Sequence, residues 1–122
     1  MKGVDEVLHW YKDLYMDEIV KKNPPKAKKR VEWCHKSFKK SLYFWKQSYY
    51  AIMLASNPNN LFEIIETRQL FFRHFQNKHV YIIGLAGSKQ EAITIVQIMV
   101  EKLWQKDSEL RVREFFETED FE

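Results

Sequence analysis

The chain has 122 residues, of which 45% are hydrophobic and 16% aromatic, and its formal net charge is +3. That length points to one domain spanning 1–122, and the apolar content excludes an intrinsically disordered chain. A lone cysteine, Cys34, excludes an internal disulfide and a multi-cysteine zinc site. The longest clean apolar stretch, Tyr49–Ala55, falls far short of the ~20 residues of a spanning helix, so no membrane association is predicted. Met1-Lys2-Gly3-Val4-Asp5-Glu6 has no apolar signal core, and the expected compartment is the cytoplasm.

Taken in chain order, Val4, Val7, Leu8, Tyr11, Leu14, Tyr15, Ile19 and Val20 recur at spacings of three and four, which predicts a first helix over residues 4–21. Asn23-Pro24-Pro25 ends it and starts a second helix near Pro25, running through Val31, Cys34 and Phe38. The segment 1–47 is therefore expected to be helical, with a basic second half. Tyr49–Ala55 reads as a buried strand, closed by the breaker cluster Ser56-Asn57-Pro58-Asn59-Asn60. Asn60 with Glu63 three residues on then predicts a helix carrying Leu61, Phe62, Ile64, Ile65, Leu70, Phe71, Phe72 and Phe75.

His79-Val80-Tyr81-Ile82-Ile83-Gly84 reads as a second apolar strand, and Ser88-Lys89-Gln90-Glu91 as a capping box. The helix it opens places Ala92, Ile93, Val96, Met99, Val100 and Leu103 on one broad face. Alternation through Leu110 and Val112 predicts a third, edge strand ending near Phe116, followed by an acidic tail over residues 117–122. The predicted architecture is α/β: two N-terminal helices, then a small β-α-β-α-(β) unit over residues 48–116. Its sheet is expected to be mainly parallel, because a strand-helix-strand unit closes through a right-handed crossover.

Ile52-Met53-Leu54-Ala55-Ser56-Asn57-Pro58-Asn59-Asn60-Leu61-Phe62-Glu63-Ile64-Ile65, Ile82-Ile83-Gly84-Leu85-Ala86 with Glu91-Ala92, and Val112-Arg113 resemble a family of short uncharacterised bacterial proteins. The resemblance covers about residues 50–116. It implies the same β-α-β-α layout, and it brings no established activity and no functional residue with it.

Two places offer chemistry. In a parallel sheet, ligands bind beyond the strand C-termini, where the two strand-to-helix turns would meet. Ser56, Asn57 and Asn59 in the first turn, with Gly84, Gly87, Ser88 and Lys89 in the second, are the candidate small-anion or nucleotide site. Glycines allow close backbone approach, and a helix start presents free N–H groups. The same residues are equally explained as caps and turn formers, and no dinucleotide or phosphate-loop fingerprint is present.

The second place is a charge block. Residues 21–47 carry ten basic side chains against Glu32 alone. Lys28, Lys29, Arg30, Lys36, Lys39, Lys40 and Lys46 are its candidate partner-binding residues. They alternate with Trp33, Phe38, Tyr43, Phe44, Trp45, Tyr49 and Tyr50, a pairing of cations with stacking platforms that suits nucleic acid. An acidic protein is the other candidate partner, and the alternative is a solvated helix face above an aromatic core seam. Nineteen aromatics in so short a chain also raise the expectation of a homodimer. His9, His35, His74 and His79 fall in four separate contexts, so no metal site and no cofactor are predicted. Cys34 lies among cations but without a base, and it is expected to be an idle buried thiol. No catalytic residue is named, which leaves a small binding protein as the leading expectation and an enzyme open.

Overall fold

The computed structural model describes residues 8–37, 39, 48–55, 61–72, 79–106, 116, 120 and 121. Chain order gives β1 (Leu8–Met16), α1 (Glu18–Lys21), α2 (Pro24–Lys36), β2 (Tyr50–Leu54), β3 (Phe62–Glu66), a 3-10 turn (Thr67–Phe71), β4 (Val80–Ala86) and α3 (Lys89–Lys106). The strands form one sheet ordered β1-β4-β2-β3.

Four predicted elements form where they were read. Pro24 and Pro25 occupy the first turn of α2, where proline costs no hydrogen bond, and the Asn23 carboxamide oxygen accepts from the Lys26 N–H at 3.2 Å. The strands β2 and β4 match the two apolar runs, and the Ser88 hydroxyl oxygen accepts from the Glu91 N–H at 3.2 Å to cap α3.

Three expectations are corrected. The first N-terminal helix is instead β1, so only one of the two predicted leading helices is present as a long element. The helix predicted after Asn60 is instead β3 followed by the 3-10 turn, whose cap is Glu66 with Gln69 rather than Asn60 with Glu63. The sheet is mixed rather than mainly parallel: β1 and β4 are parallel, while β2 runs antiparallel to both β4 and β3. One physical change underlies the last two. Since the chain after β2 returns as a paired strand, it makes no right-handed helical crossover, and β4 joins the other side of β2 in the opposite direction. The third strand predicted to end near Phe116 lies outside the described residues, except that Phe116 itself is buried.

The sheet is covered on both faces. Leu8, Trp10, Leu14, Ala51, Met53, Val80, Ile82 and Leu85 pack against Val20, Ala27, Val31 and Leu70 of α1, α2 and the 3-10 turn. Ile52, Ile83 and Ala86 pack on the other side against Ala92, Ile95, Met99 and Leu103 of α3. Each fully buried branched side chain contributes about 2–3 kcal/mol relative to exposure.

Two irregularities shape this sheet. Between Trp10 and Tyr15 the five-residue step of β1 is matched only by the two-residue step from Ile82 to Gly84. Three extra residues therefore bulge from β1, yet its side chains keep alternating, with Trp10 and Leu14 on the α2 side and Tyr11 and Tyr15 on the α3 side. In β4, Ile52 pairs with Gly84 and Met53 with Ile82, which leaves Ile83 unpaired and turns Ile83 and Gly84 toward the same face. Gly84 fits because a Cβ there would lie 2.8 Å from Ile52 Cδ1.

Candidate functional site

The end of β4 is built around one buried carboxylate. Asp17, 7% exposed, follows β1 and caps α1, its Oδ1 accepting from the Val20 N–H at 2.9 Å. Its Oδ2 accepts from the Gly87 N–H at 2.8 Å, and its own N–H donates to the Leu85 carbonyl at 3.4 Å. Asp17 thus fastens the C-terminal ends of the parallel pair β1 and β4. The turn does hold an anion, and the anion is the protein's own side chain.

Beside this staple lies an open concavity of about 520 Å³ lined by Ser48, Tyr50, Glu66, Arg68, Gly87, Ser88 and Lys89. Its far wall is fixed by Thr67, which is buried: the Thr67 N–H donates to the Tyr49 carbonyl at 2.8 Å, and the Tyr49 N–H donates to Thr67 Oγ1 at 3.1 Å. Arg68 Nε lies 2.6 Å from Glu66 Oε2, so part of its charge is already answered within the wall.

Of the predicted two-turn site, Gly84, Gly87, Ser88 and Lys89 are among the described residues. Gly87, Ser88 and Lys89 line the concavity, whereas Gly84 faces the core between Ile52 and Ile95. Ser56, Asn57 and Asn59 lie outside the described residues. Because β2 and β4 are antiparallel, their C-terminal ends leave opposite edges of the sheet, and the single shared crevice of a parallel arrangement is lost. Ser48, Tyr50, Glu66 and Arg68 were not legible as site residues, since only the pairing of β2 with β3 and β4 brings them to Lys89.

The basic block resolves into faces. On α2, Ala27, Val31 and Cys34 are buried, and Lys26, Lys29, Trp33 and Lys36 recur at spacings of three and four on the opposite side. All four are exposed; Trp33 is 37% exposed, and Lys29 Nζ sits 5.7 Å from its ring centroid. Lys28 is half-buried with Nζ 5.6 Å from the Trp10 ring, and Arg30 is half-buried on the other flank. Lys39 is exposed, while Lys40 and Lys46 lie outside the described residues. Among the aromatics, Tyr49 and Tyr50 pack half-buried against the two cores, and Phe38, Tyr43, Phe44 and Trp45 lie outside the described residues.

Cys34 is 1% exposed, and burial pushes its thiol pKa up rather than down. A thiol-specific reagent is expected to label Cys34 only as fast as the protein unfolds; rapid labelling of the native protein would contradict this burial. His9 and His79, predicted to be unrelated, meet at the opposite end of the β1–β4 pair with Nε2 and Nδ1 2.8 Å apart. No group of three or more His, Cys, Asp or Glu suited to a metal is found among the described residues. Nor is any helix among them long and apolar enough to cross a membrane. Comparison with known protein families, with curated proteins and with solved structures finds no match to this chain.

Proposed function

We propose that this protein binds single-stranded nucleic acid through the outer face of α2. The observation that supports it is the stripe Lys26, Lys29, Trp33 and Lys36, in which three ammonium groups flank one exposed indole. Phosphates are matched by the lysines, and an unstacked base is matched by the Trp33 ring once Lys29 moves from its face to a phosphate. Single strands are favoured over duplex because the stripe carries a stacking platform. Lys39, exposed beyond the end of α2, extends the same basic character.

Fluorescence anisotropy with labelled oligonucleotides over a salt series tests this reading. Three phosphate contacts give a slope of log K against log salt of about −2 on a single strand. Lys29→Glu with Lys36→Glu is expected to flatten that slope by about 1.4, and Trp33→Ala to weaken binding about tenfold. Absence of binding at low salt, or a slope indifferent to the double substitution, would remove nucleic acid as the partner. An acidic protein would then be the remaining candidate for this face.

A second reading concerns a small anion in the concavity, where Arg68 and Lys89 line the same space. It draws on a different surface, so phosphate protection that survives Lys29→Glu/Lys36→Glu and is lost in Lys89→Glu would distinguish it.

A further inference from the structure

A second, more enclosed space lies on the other side of the sheet, between the bulged strand β1 and α3. It measures about 110 Å³ and is lined by Tyr11 and Tyr15 of β1, by Met99 and Leu103 of α3, and by Phe116. The remaining lining residues are Lys102 and Lys106, one helical turn apart on α3. The floor is apolar: Met99, Leu103 and Phe116 are all buried. Lys102 Nζ sits 5.5 Å from the Tyr15 ring centroid, so one cation is already placed at the mouth. Among the described residues, neither Lys102 nor Lys106 is paired with a carboxylate.

We propose that this cleft binds a short-chain aliphatic monocarboxylate. Size sets the tail. An apolar cavity of about 150 Å³ takes a benzene ring, so this smaller cleft takes an aliphatic tail of about three to four carbons, with the carboxylate at its open mouth. Charge sets the direction. Asp13 and Asp120 both act on Tyr11, and Lys12, the cation acting on it from β1, is already paired with Asp120 at 3.2 Å, so among the described residues that side offers an anion no unanswered cation. The α3 side presents two ammonium groups to it. The ligand therefore lies with its tail over Met99 and Leu103 and its carboxylate between Lys102 and Lys106. Tyr11, whose phenol is protonated at neutral pH in any case, is a hydrogen-bond donor at the cleft wall, and burial first and Asp13 next raise its pKa further. The cleft lies at the bulged stretch of β1, where the step from Trp10 to Tyr15 is not paired residue for residue with β4.

The test is a titration of the intact protein with sodium valerate, following the Met99 methyl and the Tyr11 and Tyr15 ring signals by NMR, with 1-pentanol and pentylamine as controls. Saturable shifts at these residues are expected in the millimolar range, as befits so small a ligand. Pentanol is expected to bind about tenfold more weakly and pentylamine not at all. Lys102→Gln with Lys106→Gln changes only exposed side chains and is expected to weaken valerate binding about tenfold, to the level of pentanol. Equal binding of valerate and pentanol, undiminished binding by the double variant, or no saturation at tens of millimolar would each overturn the proposal. This outcome is independent of the α2 face, whose residues the double variant leaves intact.

Discussion

Asp17→Ala is expected to lower the stability of the fold by about 3 kcal/mol, the sum of a lost helix cap and a lost charge-assisted hydrogen bond. Both carboxylate oxygens are engaged, one by the Val20 N–H and the other by the Gly87 N–H. Alanine leaves both donors in a site where Asp17 itself is only 7% exposed, so water replaces the carboxylate poorly. In a chain of this size the corresponding fall in melting temperature is about 12 °C. Asp17→Asn separates the two bonds, because a carboxamide offers one acceptor oxygen where the carboxylate offers two. About half the loss is expected for asparagine. Urea denaturation monitored by circular dichroism measures both variants, with an unchanged m-value showing that the native and unfolded ensembles keep their compactness. A loss below about 1 kcal/mol for alanine would mean that the two ends of β1 and β4 do not depend on this staple.

The second large effect is expected at the bulge of β4. Gly84→Ala places a methyl 2.8 Å from Ile52 Cδ1 and 3.5 Å from Ile95 Cγ2, between a fully buried side chain and the inner face of α3. Overpacking of this kind costs about 2 kcal/mol. Ile52→Val removes the very atom that the new methyl meets, at a cost of about 1 kcal/mol by itself. The two substitutions are therefore expected to be coupled. The double variant loses about 1–2 kcal/mol, less than the sum of the single losses, because the alanine methyl fills the space that valine vacates. Strict additivity in that double-mutant cycle would show that the Ile52 side chain is not what limits position 84.

The N-terminal misreading has a specific cause. Leu8, Tyr11, Leu14 and Tyr15 fit a helical stripe, but Trp10 falls off that stripe and is nonetheless 6% exposed. In a regular half-buried strand alternation would have shown itself. Here both faces are covered, so Leu8, Trp10, Leu14 and Met16 face one core while Tyr11 and Tyr15 face the other, and the two apolar sets overlay into spacings of three and four. In β3, Asn60 and Glu63 carry a helix-start signature that competes with the β-branched pair Ile64 and Ile65. The pairing of that segment with β2 decides the outcome, and pairing is a long-range fact that no local window contains. By contrast α2, β4 and the start of α3 were legible because each has its own terminator: the proline pair, the apolar run ending in small residues, and Ser88 as a cap. The candidate surfaces divide along the same line. The stripe on α2 follows from helical period alone, whereas the concavity at Arg68 and Lys89 exists only because three strands align.

The parallel pairing of β1 with β4 also sets an order of events during synthesis. Of the described strands β1 leaves the ribosome first, yet Asp17 reaches Gly87, 70 positions further along the chain. At cellular elongation rates that interval lasts roughly 4–14 s, long after β2 and β3 are able to zip together as neighbours. Leu8, Trp10 and Leu14 spend it without the strand that will cover their backbone. A nascent chain halted anywhere before Gly87 therefore leaves β1 still waiting, and the sheet closes only when β4 arrives, with α3 following it.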